Sequence, residues 1–207
     1  MAFTTLCCKN ALERLTRLFC ALVLVVCSTA VIAGSIEPKH GTLATSEDGN
    51  TVLSAEFVID LGPRLEEAVA RGVPLYFTLE FELTRPRWWW SNENVATRTT
   101  QYRLSYAALT RQYRLTTGNL HRNFPTLSEA LRVLSRFSEL PIADKGALKI
   151  GESYDVALRL SLDRNQLPKP LQVDAIANRD WQVETRVLRW NYVPAPYAAP
   201  VAAETKP

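Results

Sequence analysis

Residues 75–115 decide the fold. They open with LYFTLEFELTRPRWWW at positions 75–90 and close with YRLSYAALTRQYRL at positions 102–115. In the first segment, polar residues alternate with an apolar row formed by Phe77, Leu79, Phe81 and Leu83. Because successive side chains of a strand point to opposite faces, this row predicts a half-buried strand. Pro86 ends that strand because proline lacks the N–H that a ladder needs. The second segment repeats the alternation, so the whole stretch predicts a strand, an aromatic corner and two more strands.

Strands are also predicted on both sides of this stretch. Residues 51–61 follow an Asp-Gly-Asn turn signal and alternate well, and residues 153–162 alternate as regularly. Shorter strands are expected at 41–45 and 121–124. The last predicted strand, 181–192, changes its apolar face midway, which indicates either a bulge or a crossing between two sheets.

Two short helices are predicted between the strands. The first, 63–71, begins at a proline and stops before Gly72. The second follows Thr126, which stands three residues before Glu129 in the spacing of a capping box. Its apolar residues recur at helical spacing as far as Phe137, and a stop is expected at Pro141. The segment LPKPL at 167–171 is expected to be an extended connection.

This order of elements predicts a mainly β (α+β) fold. Strands joined by short turns, without regular β-α-β alternation, favour an antiparallel β-sandwich with two short helices. A closed antiparallel barrel is the alternative. A length of 207 residues fits one domain with appendages. The expected organisation is a signal peptide at 1–33, a single β-rich domain at 34–193 and a disordered Pro/Ala-rich tail at 194–207.

The N-terminal segment has the features of an export signal. Basic residues precede an uncharged run at residues 18–33, and cleavage is expected after Ala33. All four cysteines lie in this segment, so the mature chain has no thiol for disulfides, thiol catalysis or metal binding. We therefore expect a periplasmic or secreted protein. Anchoring to the inner membrane by residues 18–33 is the alternative, although the run is shorter than the ~20 residues of a usual span.

Charge is unevenly distributed along the chain. The formal net charge of +3 indicates little about partners, but residues 85–122 hold seven arginines against one acid, Glu93. One interpretation is that basic strands lie beside acidic ones, with opposite charges facing across a sheet. The other is a basic face that meets an anionic partner.

The Trp88-Trp89-Trp90 triplet is the most unusual feature of the sequence. Three consecutive indoles cannot share one strand face. Either two of them fill the end of the sandwich, or at least one stays exposed as an anchor for a partner, a ligand or a membrane interface. The candidate interaction surface is formed by Arg85, Arg87, Trp88, Trp89, Trp90, Arg103, Arg111 and Arg114. Tyr102, Tyr106 and Tyr113 interleave with its last three arginines, and ordinary cross-strand packing is the alternative for them.

Motifs of known chemistry are missing from the sequence. The chain has no His-Glu-x-x-His, no Gly-x-Ser-x-Gly, no phosphate-binding glycine loop and no calcium loop. Its two histidines, His40 and His121, lie far apart and have no companion at ligand spacing. We therefore expect no enzyme, and no catalytic, cofactor-binding or metal-binding residues.

Several segments together resemble an exported proteobacterial family, the domain-of-unknown-function family 4390. The resemblance covers residues 37–193 and is carried by RWWW (87–90), YRLSY (102–106), LTRQY (109–113), residues 127–134, LPKPL (167–171) and Trp181. The family has no established activity, so the resemblance implies no catalytic residues. Its members are often encoded near a nitrogen-regulation-type membrane sensor kinase and an rRNA cytosine methyltransferase, which implies a role in envelope signalling.

The function expected from sequence is that of an exported, non-enzymatic binding or regulatory module of the cell envelope. Its partner would be an envelope protein, such as the external domain of a sensor kinase, and not a nucleic acid. We expect a monomer, with membrane contact only through an uncleaved N-terminal segment. A structural or lipid-associated envelope protein is the alternative.

Overall fold

The computed structural model describes residues 34–89, 91–169, 171–172, 181 and 183–195. The expected signal peptide, Trp90 and the expected tail beyond residue 195 lie outside the described residues. In the part that is described, none of the helices has the length and apolar character needed to cross a membrane.

The described chain forms ten strands and two α-helices, joined by turns and one short 3-10 helix at Arg164–Gln166. The strands are β1 (Gly34–Thr45), β2 (Thr51–Asp60), β3 (Leu75–Arg85), β4 (Glu93–Ala107), β5 (Gln112–Thr117), β6 (Leu120–Phe124), β7 (Arg136–Ala143), β8 (Tyr154–Leu162), β9 (Val183–Thr185) and β10 (Leu188–Tyr192). The helices are α1 (Gly62–Ala70) and α2 (Leu127–Leu134).

Two sheets share one hydrophobic core. The smaller has the strand order β7-β2-β1-β9 and the larger β10-β8-β3-β4-β5-β6. Neighbours are antiparallel except β1 and β9, which pair in parallel. A single cluster of buried residues draws on both sheets, from Leu53 on β2 to Leu158 on β8. The antiparallel sandwich with two short helices is therefore confirmed, and a closed barrel does not form.

Strand β3 lies in the interior of the larger sheet, with β4 on one side and β8 on the other. Its inward row of Leu75, Phe77, Leu79, Phe81 and Leu83 is at most 1% exposed. Register pairs Leu79 with Leu160 of β8 and with Thr100 of β4. The alternation that predicted this strand thus predicts its buried face correctly.

The last two strands belong to different sheets. Strand β9 pairs with β1 in the smaller sheet, whereas β10 pairs with β8 in the larger one. The change of apolar face in this segment is therefore a crossing between sheets. The sheets approach closely here, because a Cβ on Gly41 of β1 would lie 2.8 Å from Cδ2 of Leu188 and 3.1 Å from Cη2 of Trp190.

Two strands differ from the sequence prediction. Strand β1 begins at Gly34 rather than near residue 41, and its register shifts between Pro38 and His40. Its Gly and Pro residues break the alternation, so pairing with β2 and β9 defines it. Helix α2 ends at Leu134, and the chain then forms β7, which passes through Pro141. Proline is tolerated because β7 is an edge strand, where one side of the ladder is unpaired.

The remaining differences are local. Phe137 is buried from β7 and not from a helix, and it packs edge-to-face on Phe57 at 5.8 Å between ring centroids. Strand β5 begins at Gln112, because Arg111 has a positive φ of 51° in the preceding turn. The described residues of segment 167–171 are extended at Leu167, with φ −66° and ψ 150°, but not throughout. Lys169 and Leu171 are helical, and the N–H of Leu171 donates to the Pro168 carbonyl at 2.9 Å.

Replacing Leu79 tests the central position of β3. Leu79→Ala removes a side chain that is 1% exposed, and we expect the free energy of unfolding to fall by about 2–5 kcal/mol. Urea denaturation measures the loss. Leu109→Ala is the matched control, because Leu109 is fully exposed in the β4–β5 turn and its removal should change stability by less than about 0.5 kcal/mol. Equal effects of the two substitutions would contradict a buried β3.

The close approach of β1 to β10 is tested at Gly41. Gly41→Ala adds a methyl group against Leu188, and we expect overpacking to cost about 1–3 kcal/mol of unfolding free energy. Combining it with Leu188→Ala provides space for the methyl group, so the double variant should be more stable than the sum of the two single losses predicts. Strict additivity in denaturation curves would show that the two residues do not touch.

Candidate functional site

Four charged side chains form a cluster where β3 ends. Arg85, the last residue of β3, donates from Nε to Oε2 of Glu93 at 2.9 Å and from Nη1 to Oε2 of Glu152 at 2.8 Å. Arg87 donates from Nη2 to the same oxygen of Glu93. Because Glu93 opens β4 and Glu152 lies just before β8, this arginine–glutamate cluster connects three segments of the chain.

The arginine–glutamate cluster is attached to the core through a tyrosine. Tyr154 is 1% exposed, and its hydroxyl donates to Oε2 of Glu152 at 3.3 Å. The same hydroxyl accepts the N–H of Lys149 at 3.0 Å. The carboxylate that Arg85 reaches is therefore held by one of the largest fully buried side chains of the domain.

Hydrogen bonding favours the charged forms of Glu93, Glu152 and Arg85. The Arg85 guanidinium, followed by that of Arg87, lowers the pKa of Glu93 from its ordinary value of 4.5. Hydrogen bonding to Arg85 likewise lowers the pKa of Glu152. In return, Glu152 and then Glu93 raise the pKa of Arg85. The two guanidiniums balance the charges of the two carboxylates. The cluster therefore holds the three chain segments together without a large net charge.

Two indoles are exposed in the loop that follows β3, beside the arginine–glutamate cluster. Trp88 is 89% exposed and Trp89 66%, and their rings meet edge-to-face with centroids 4.6 Å apart at 89°. Trp90 lies outside the described residues. Pro86 follows the last residue of β3, so the chain leaves the sheet before the indoles, and neither of the two described indoles fills the sandwich end.

Two further exposed apolar residues belong to the same end of the sandwich. Ile150 is 68% exposed and Val193 54%, on segments joined by a hydrogen bond of 3.3 Å from the Gly151 N–H to the Pro194 carbonyl. Glu152 follows Ile150 by two residues and accepts a hydrogen bond from Arg85, which links that segment to the end of β3. We call Trp88, Trp89, Ile150 and Val193 the apolar tip. Sequence reasoning missed Ile150 and Val193, because an isolated exposed aliphatic residue has no periodic signal.

The other arginines of the predicted surface lie elsewhere. Arg103 pairs with Tyr76 in the β3–β4 ladder, nine positions before Arg85 on β3, which is roughly 30 Å along the strand. Arg114 on β5 donates from Nε to Asn123 Oδ1 at 3.1 Å, and Arg111 lies in the β4–β5 turn. Only Arg85, Arg87 and the indoles are therefore brought together among the described members.

The tyrosines that interleave with these arginines in the sequence lie apart from Arg103 and Arg114 in the fold. On β4, Tyr102 and Tyr106 alternate with Arg103 and therefore point to the opposite face of the sheet. Tyr106 instead packs on its cross-strand neighbour Tyr113, with 5.0 Å between centroids. Cross-strand packing, the alternative, accounts for these tyrosines.

Charge pairing across the larger sheet explains an acidic residue of β3. Glu80 accepts from Nε of Arg159 on the neighbouring strand β8 at 2.8 Å. No three His, Cys, Asp or Glu side chains of the described residues are grouped as a metal site would need.

Comparison with known proteins identifies one family. The model of a family described as Domain of unknown function (DUF4390) matches residues 36–191, three quarters of the chain. Neither a curated protein nor a solved structure matches the chain.

The lowered pKa of Glu93 predicts how the cluster responds to acid. Its pKa is lower in the folded than in the unfolded chain, so its stabilisation is complete above the unfolded value of 4.5 and is lost as pH falls through the folded value. We expect Glu93→Gln to lower the urea midpoint near pH 7, and the difference from wild type to shrink as the pH falls below 4.5. A difference that stays constant over this range would contradict the charged pairing.

Proposed function

This chain belongs to the DUF4390 family of domains of unknown function, and from its structure we propose that it is a non-enzymatic binding module of the cell envelope, holding a protein partner through the apolar tip. The observation that carries the proposal is the exposed edge-to-face pair of Trp88 and Trp89. An indole buries a large area with few rotatable bonds, and tryptophan is enriched among the residues that dominate binding energy.

Ion pairs hold the chain on both sides of the two indoles. Arg85 and Arg87 precede them and Glu93 follows them, and all three belong to the arginine–glutamate cluster. Both ends of the short loop are therefore fixed before a partner arrives. Pre-organisation of this kind reduces the conformational entropy that binding would otherwise cost.

The surroundings of the indoles suit a protein partner. Ile150 and Val193 extend the apolar area on joined segments, which gives the core of an interface. Lys149 also pairs with Glu152, and its side chain is 69% exposed, so three cations meet two carboxylates beside the tip. The excess positive charge can steer an acidic surface toward the tip. We propose an acidic patch with an aromatic or aliphatic pocket as the matching feature of the partner.

The proposed partner is the external domain of a membrane sensor kinase. This choice rests on the export features of residues 1–33 and on the envelope signalling context that the family resemblance implies. Binding at the tip would then regulate the kinase without any chemistry performed by this chain.

Co-purification from solubilised envelopes tests the proposal. We expect the wild-type protein to recover one membrane protein reproducibly, and the double variant Trp88→Ala/Trp89→Ala to bind it at least about 30-fold more weakly, as loss of an interface hot spot would produce. The melting temperature of the variant should change little, because neither indole is buried.

Leu109→Ala is the control for this experiment, because Leu109 is a fully exposed apolar residue in the β4–β5 turn. Its recovery of the partner should equal that of wild type. Equal recovery by the tryptophan double variant would refute the tip as the binding surface.

A further inference from the structure

A cleft opens between the two sheets, away from the apolar tip. Its volume is about 480 Å³, within the range of small-molecule sites, and most of its lining is apolar. The apolar lining comes from Tyr102, Leu115, Leu120, Val133, Phe137 and Leu140. Tyr102 and Phe137 connect the two sheets, with their ring centroids 5.5 Å apart.

The unequal width of the sheets explains the opening. Strand β7 is the edge of the smaller sheet, whereas β5 and β6 continue the larger sheet beyond β4. Helix α2 covers part of their inner face through Ala130 and Leu134, which are at most 1% exposed. The strip between α2 and β7 stays open, and Leu120 at the start of β6 is 78% exposed.

Arg122 is one of two cations in this mainly apolar lining. It pairs with the buried Leu115 across the β5–β6 ladder, so both point to the inner face, and its guanidinium lies 5.5 Å from the Phe124 ring centroid. No carboxylate among the described residues pairs with Arg122, whereas the other lining arginine, Arg136, reaches Glu56 at 3.5 Å.

The lining contains no negative charge to compete for that cation. Its other polar residues are Thr117 and Ser138, and no Asp or Glu belongs to it. Burial raises the pKa of Tyr102, so the phenol stays neutral at physiological pH. An apolar cleft with an unpaired guanidinium therefore complements a ligand with an apolar chain and one anionic end.

We propose that this cleft binds a fatty carboxylate, with its acyl chain between the sheets and its carboxylate on Arg122. The chain contacts the aliphatic and aromatic lining, and the head accepts charge-assisted hydrogen bonds from the guanidinium. The cleft is independent of the apolar tip, so ligand binding here and partner binding there are separate properties of the domain.

Isothermal titration calorimetry with three probes separates the contributions of the ligand's acyl chain and of its charged head. The experiment uses the protein as the cell processes it. We expect decanoate to bind saturably at one site. Butyrate has the same head without the chain, and decyltrimethylammonium has the same chain with a cationic head. Both should bind at least about tenfold more weakly, as loss of a charge-assisted hydrogen bond or of buried apolar area would produce.

Substitutions then locate the site. Arg122→Gln should weaken decanoate binding about tenfold, and Ser138→Trp, which adds bulk at an exposed lining position, should block the cleft. Arg114→Gln is the matched control on the opposite face of the same sheet and should bind as wild type does. Circular dichroism confirms that each variant is folded. Equal binding of decanoate and decyltrimethylammonium, equal affinities of the two arginine variants, or no saturable decanoate binding would overturn the proposal.

Discussion

Strand β3 is buried along one face and paired on both sides. Its register sets the registers of its two neighbours, β4 and β8. Each fully buried large apolar side chain contributes about 1.5–3 kcal/mol, and β3 supplies five in one row. A slip of one residue would expose all five, so the burial fixes the registers of β4 and β8 as well. Through those registers it also decides which side chains meet at the sandwich ends.

The apolar tip follows from how β3 ends. Pro86 stops the ladder, and the arginines on either side of it find acids at the starts of the two neighbouring strands. The corner is therefore held by ion pairs on both sides of the most exposed aromatic groups of the described chain. Exposed indoles on a loop with both ends held are what the proposed binding surface requires.

The sequence predicted correctly those elements whose formation depends on residues that are close together in the chain. Alternation predicted β2, β3 and β8 because each strand buries one face, and its apolar residues therefore recur at every second position. The capping spacing at Thr126 predicted α2, and the Thr126 hydroxyl accepts the N–H of Glu129 at 3.3 Å. Exposure of indoles was one of two outcomes that the triplet allowed.

The rest depends on contacts between distant segments. Strand β1 has a broken pattern and exists because β2 and β9 pair with it, and β7 tolerates Pro141 only as an edge strand. Glu152 is sixty-seven residues from Arg85, so its place in the arginine–glutamate cluster required the fold. The cleft with Arg122 arises from the difference in width between two sheets, which no local pattern encodes.

The crossing between β9 and β10 determines when the two sheets can be completed during synthesis of the chain. The first strand of the domain pairs with β9, and the larger sheet receives its outer strand β10 from the same late segment. The smaller sheet is complete only when the chain reaches residue 185, and the larger sheet only at residue 192. Chains whose contacts join distant residues fold slowly, and a ribosome releases the N-terminal part first. The edges of both sheets therefore stay unpaired until the segment 183–192 has been synthesised, so the complete sandwich can close only after that point.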